Sequence, residues 1–115
     1  MKAERNKTIE MTVKEGKEYL AKCIHVSQKK ELADILDKTI IGDTFSVLPL
    51  LPTKFVDLLI VDPPYNLDKD FHGKKFKKTT DELYEEYTEK WINQVIPLLK
   101  DTATIYVAVI GNPVR

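Results

Sequence analysis

The chain has 115 residues with 18 basic and 18 acidic side chains, a balance that describes a globular domain and excludes a disordered tail, a fibre or a chain whose overall charge advertises nucleic acid. No apolar run approaches membrane-spanning length, and residues 1–7 lack the apolar core of a secretory signal, so a cytoplasmic protein with no membrane partner is expected. The single cysteine, Cys23, cannot form an internal disulfide and is expected as a buried structural thiol.

Residues 1–38 are charged and helical in pattern, and they read as an N-terminal extension packed on a core formed by residues 39–115. Thr12 with Glu15 makes a capping box for a helix whose Val13, Tyr19, Leu20, Cys23 and Ile24 lean to one side. Ser27 is placed to cap a second helix carrying Leu32, Ile35 and Leu36. His25 has no Cys or carboxylate cluster beside it and reads as a surface or packing residue, not a metal ligand. A short strand, Thr39-Ile40-Ile41, then meets Gly42-Asp43. There glycine would supply a special backbone angle, and Asp43 or Thr44 an N-cap for a helical stretch from Ser46 to Leu51.

The run Phe55-Val56-Asp57-Leu58-Leu59-Ile60-Val61 reads as a buried strand, closed by Asp62-Pro63-Pro64-Tyr65. Proline cannot donate to a sheet ladder and restricts the residue before it, so the strand must stop in a rigid turn. The turn presents the Asp62 carboxylate beside the Pro63 carbonyl, two acceptors that suit an amino group with two hydrogens, and Tyr65 offers a flat face for stacking. A planar ring bearing an exocyclic amino group is a nucleobase. The bland alternative is an ordinary strand-ending turn.

After the turn, Lys69, Lys74, Lys75, Lys77 and Lys78 surround His72 and Gly73, with Phe71 and Phe76 interleaved. This reads as a basic loop able to contact phosphates beside the turn, with a solvated lysine loop as the alternative. Thr79 with Glu82 makes another capping box, and Leu83, Tyr84, Tyr87, Trp91, Val95 and Leu98 recur at helical spacing with Trp91 in the core. Pro97 should bend or end that helix ahead of a strand from about Ala103, and Asn112-Pro113 should end the strand.

Taken as a set, these residues resemble the S-adenosylmethionine-dependent DNA amino methyltransferases that modify adenine N6 or cytosine N4, and in particular the beta-class, circularly permuted enzymes. The resemblance spans roughly residues 39–112 and rests on Gly42-Asp43-Thr44-Phe45, the strand into Asp62-Pro63-Pro64-Tyr65-Asn66-Leu67, the Tyr84 to Leu99 helix and the Thr104 to Gly111 strand. It implies an α/β fold, a partial Rossmann-like sheet of three strands with flanking helices. It implies that Asp62, Pro63, Pro64 and Tyr65 are catalytic and that Asp43, Thr44 and Asp62 contact S-adenosylmethionine. It also implies that Lys69, His72, Lys74, Lys75, Lys77 and Lys78 contact double-stranded DNA, in a restriction-modification setting. An aspartate at position 62 points to adenine. A cytosine-N4 or RNA base methyltransferase and a non-catalytic DNA-binding or dimerising module are the alternatives.

One departure from the family carries its own expectation. The glycines are Gly16, Gly42, Gly73 and Gly111, and none makes the Gly-x-Gly turn on which the family's cofactor rests; in the permuted class that turn lies far downstream of the Asp-Pro-Pro-Tyr motif. The chain is therefore expected to be an N-terminal catalytic portion, inactive alone, whose strand 39–41 lacks its usual neighbours. It would need a C-terminal half, a complementing chain or a second copy.

Overall fold

The computed structural model describes residues 9–64, 69–71, 74–76 and 80–109. Helix α1 (Val13–Ala21) starts where the sequence predicts, because Thr12 and Glu15 satisfy each other's backbone: Thr12 Oγ1 accepts from Glu15 N at 3.2 Å and Glu15 Oε2 accepts from Thr12 N at 2.8 Å. Its apolar stripe is uncovered, with Val13, Tyr19 and Leu20 all exposed. The extension is instead tied to the rest by backbone, Ile24 N donating to Thr39 O at 2.8 Å and Lys30 N to Leu50 O at 3.0 Å.

Two N-terminal expectations change. The second helix, α2 (Leu32–Ile35), is one turn long, with Glu31 and not Ser27 at its N-cap, since Asp34 Oδ2 accepts from Glu31 N at 3.0 Å. Leu36 then turns extended and Asp37 adopts a φ of 57°, a left-handed conformation that ends the helix. Cys23 is half-buried, not buried, and its thiol sits 3.6 Å from Tyr19 O.

Residues 39–41 form no strand of a sheet. Ile40 makes a single parallel bridge with Ile24, while the central sheet is a parallel pair, β1 (Val56–Val61) with β4 (Leu99–Val107). The described residues thus give a mixed helix and strand fold with two parallel strands, where three were expected. A strand needs a partner for its amide and carbonyl rows, and for residues 39–41 the described chain supplies only Ile24.

Helix α3 (Thr44–Val47) and a 3-10 turn (Leu48–Leu50) carry the chain from Asp43 toward β1. A second pair, β2 (Lys69–Phe71) with β3 (Lys74–Phe76), is antiparallel and pairs Lys69 with Phe76 and Phe71 with Lys74. A basic loop was expected there. The two-residue separation and the glycine at its second position are a hairpin signal that the lysine content obscures.

Helix α4 (Asp81–Val95) is capped by Thr80, whose Oγ1 accepts from Leu83 N at 3.3 Å, one residue later than the expected Thr79. Pro97 ends it through a 3-10 turn (Ile96–Leu98), and β4 follows at once at Leu99, four residues ahead of the expected Ala103. The early start comes from local pairing: Lys54 N and Phe55 N donate to Pro97 O and Leu98 O, and Val56 is in register with Leu99. The register then slips, so that Leu58 lies opposite Thr104 and Ile60 opposite Tyr106. Exposed ion pairs Lys54–Asp101 and Lys100–Asp57 cross the same junction. The buried centre comprises Trp91 and Val95 of α4 with Leu98, while Ile35 is buried on α2. Among the described residues no helix is long and apolar enough to cross a membrane.

Candidate functional site

Two turns build the site, one at each end of the segment from residue 42 to residue 64. At the first, Asp43 caps α3: its Oδ2 accepts from Ser46 N at 2.9 Å and from Ser46 Oγ at 2.8 Å. Both bonds fall on one oxygen, so the cap leaves Oδ1 out. Gly42 is required here by space, not by a special backbone angle as expected, because a Cβ at this position would meet Val47 Cγ2 at 2.9 Å. Valine on a helix is stiff at χ1 and cannot swing away. The close approach therefore fixes where Asp43 and Thr44 stand.

At the second turn, β1 runs out at Val61 and Asp62, Pro63 and Pro64 follow with no regular structure. Asp62 is exposed and the two prolines are half-buried. Each proline has φ locked near −65° and no amide hydrogen, so the Pro63 and Pro64 carbonyls are presented without a competing donor from their own residues. The Pro64 carbonyl accepts from the Tyr84 hydroxyl at 2.8 Å, a bond that spans twenty residues of sequence.

These turns share one cleft of about 320 Å³, whose walls include Thr44, Phe45 and Leu48 from the first, Leu59 to Pro64 from β1 and the second, and Tyr87, Trp91 and Val95 from α4. Phe45 meets Tyr87 edge-on with ring centroids 5.6 Å apart, and Tyr87 stacks on Tyr84 at 6.3 Å. The Lys90 ammonium sits 4.3 Å from the centre of the Phe45 ring. Burial raises the Tyr87 hydroxyl above its ordinary pKa, with the neighbouring Tyr84 and Asp43 adding to the shift. At neutral pH the ring is an uncharged wall.

The expected site residues divide accordingly. Thr44, Asp62, Pro63 and Pro64 come together at the cleft, and Asp43 stands beside them as a helix cap. Tyr65, His72, Lys77 and Lys78 lie outside the described residues. Lys69, Lys74 and Lys75 lie in the β2–β3 pair by their backbone. Among the described residues no cluster of His, Cys, Asp or Glu is placed to hold a metal ion, and His25 is exposed. Sequence reasoning missed Phe45, Tyr84, Tyr87 and Lys90. The available signal was two tyrosines three residues apart on an apolar helix face, since a buried tyrosine needs a partner for its hydroxyl.

Comparison with known proteins gives the class. The model of a DNA methylase family matches residues 56–114, just over half of the chain, beginning at the first residue of β1 and taking in the Asp62 turn and α4. The chain belongs to this family of N6/N4 DNA amino methyltransferases. It is 31% identical over 72 residues to the type II methyltransferase M.BamHI of Bacillus amyloliquefaciens, covering 63% of this chain and 17% of that protein. It is 33% identical over 70 residues to the type II methyltransferase M.HpaI of Haemophilus parainfluenzae, covering 61% and 22%. It is 34% identical over 71 residues to the DNA adenine methyltransferase YhdJ of Escherichia coli (strain K12), covering 61% and 24%. The matches thus span about a fifth of the length of these relatives. No solved structure matches the chain.

Proposed function

We propose that this chain carries the catalytic turn of a beta-class DNA methyltransferase that moves a methyl group from S-adenosylmethionine to the exocyclic N6 of an adenine swung out of duplex DNA. The observation that carries the reading is the shared cleft: Thr44, beside the Asp43 cap, and Asp62-Pro63-Pro64 face one aromatic-walled space. An aromatic wall with polar groups on its rim fits a planar heterocycle with a polar edge, which both the cofactor's adenine and the target base possess. Asp43 and Thr44 hold the cofactor's adenine end, and S-adenosylmethionine supplies an electrophilic methyl on sulfonium sulfur.

The adenine amino nitrogen is a poor nucleophile because its lone pair is delocalised into the ring. The Asp62 carboxylate and the Pro63 carbonyl accept its two hydrogens, favour a pyramidal nitrogen and aim the lone pair at the methyl carbon. A bound S-adenosylmethionine would give up its methyl carbon to that lone pair and keep the sulfur electron pair as a neutral thioether, and the proton that the nitrogen then sheds would pass to water. Asp62 offsets the positive charge that develops and need not be a strong base. Tyr65 stacks on the extruded base. Lys69, His72, Lys74, Lys75, Lys77 and Lys78 face DNA phosphates.

An aspartate at position 62, together with a relative named as a DNA adenine methyltransferase, favours adenine N6 over cytosine N4. The remaining cofactor-binding elements come from outside these 115 residues, as further chain, a complementing chain or a second copy. In the assembled enzyme, Asp62→Ala should lower methyl transfer to a duplex oligonucleotide by at least about 100-fold, on the scale of losing one well-aimed charge-stabilising group, with S-adenosylmethionine affinity by titration calorimetry changed little. Retained turnover would refute the role given to Asp62.

A further inference from the structure

We propose that Tyr84 is a positioning residue for the catalytic turn, acting through the Pro64 carbonyl on the aim of the Pro63 carbonyl; this rests on the function proposed above. With φ of Pro63 and Pro64 fixed by their rings, the soft torsions left in the turn are the ψ angles. The ψ angle of Pro64 sets both where its carbonyl points and where the next residue begins. A hydrogen bond that holds that carbonyl therefore restrains ψ of Pro64 directly and, because β1 holds the other end of the turn, ψ of Pro63 through the chain, and with it the aim of the Pro63 carbonyl. Tyr84 supplies the bond at 2.8 Å from a half-buried side chain.

The anchor is itself held. Tyr84 lies in the first turns of α4, a fifteen-residue helix rooted at its far end by the buried Trp91 and Val95. Its ring stacks on Tyr87, which meets Phe45 next to Thr44. Phe45, Tyr87, Tyr84 and Pro64 thus form a continuous bridge from the Gly42-Asp43 turn to the Asp62 turn. Such a bridge sets the two turns at a constant separation, the requirement for presenting a methyl donor on one and an acceptor on the other within reacting distance.

Tyr84→Phe removes only the hydroxyl and keeps the stacked ring. Rates are compared in the enzyme form that transfers methyl groups to a duplex oligonucleotide, at a temperature well below the melting point of both proteins. The expected result is a fall in kcat of about 10- to 100-fold, the scale of a small misplacement of reacting groups. KM for S-adenosylmethionine and for DNA should stay within about threefold of wild type, as expected when an interaction serves the transition state more than ground-state binding. A merely structural role would lower the melting temperature and leave kcat of the folded protein unchanged, and that outcome overturns the proposal. So does a loss confined to KM. A wild-type enzyme that transfers nothing to DNA removes the functional reading itself, and the proposal with it. A carbonyl carbon shift of Pro64 by NMR that is the same in wild type and Tyr84→Phe overturns the contact independently of any activity.

Discussion

Asp43 performs one task that the structure shows and a second that is proposed, and one substitution separates them. The cap needs an oxygen acceptor, which asparagine also offers with almost equal preference at a helix start. Contact with the cofactor's adenine amino group needs the charged acceptor, whose hydrogen bonds are stronger than neutral ones. Asp43→Asn should therefore leave the melting temperature of the chain nearly unchanged while weakening S-adenosylmethionine binding of the assembled enzyme by roughly tenfold or more, the lower part of the range for hydrogen bonds to charged groups. Titration calorimetry beside a thermal melt checks both halves. Equal loss of stability and affinity would mean that the cap alone explains the residue. Gly42 beside it was legible in sequence as a constrained position, but its reason was not: the Val47 methyl that excludes a Cβ arrives from five residues away, a distance relation that no local propensity encodes.

At the scale of elements, legibility follows how local the determining forces are. Helix α4 and strand β1 were readable because helical spacing, two prolines and a run of branched residues specify them within a short window. The start of β4 and the fate of residues 39–41 were not, because each is decided by pairing with distant backbone, and the brevity of α2 was not, because it is ended by a left-handed Asp37 that its helical pattern does not announce. The α1 capping box is the most local device of all and carries a pH dependence. Hydrogen bonds from the Thr12 backbone and hydroxyl lower the Glu15 carboxyl below its ordinary value of 4.5. A depressed carboxylate adds stability above its unfolded pKa and loses it as pH falls through the folded one, because the ionised form accepts these bonds more strongly than the neutral acid. Acidifying from pH 6 toward pH 3 should melt α1 ahead of α4, seen as earlier loss of amide protection in residues 16 to 20. Glu15→Gln, which retains a capping-box acceptor, should flatten that dependence. Protection that is insensitive to pH in the wild type would show that the box does not hold the helix.

The molecule as a whole carries the strand composition of a sheet covered on both faces, yet the described structure covers one. Helix α4 lies on the Leu59 and Val61 side, where Trp91 and Val95 join the cleft wall. On the opposite face Leu58 is 53% exposed and Tyr106 63%, Ile60, which also reaches the cleft's edge, is 73% exposed, and Thr104 completes the register. Parallel strands normally occur with both faces buried, and apolar area of this kind on a free chain drives association. On the function proposed above, the rest of a methyltransferase domain would cover this face. The isolated 13.3 kDa chain should sediment as an oligomer or aggregate at micromolar concentration, and Tyr106→Lys, which plants a charge in the middle of this face without touching the cleft, should shift it toward monomer. In the assembled enzyme the same substitution should do the opposite of help. A lysine buried without a partner costs several kcal/mol, so folding and activity should fall together. A variant that is monomeric alone and fully active when assembled would show that this face stays in water, and that the rest of the domain is joined elsewhere.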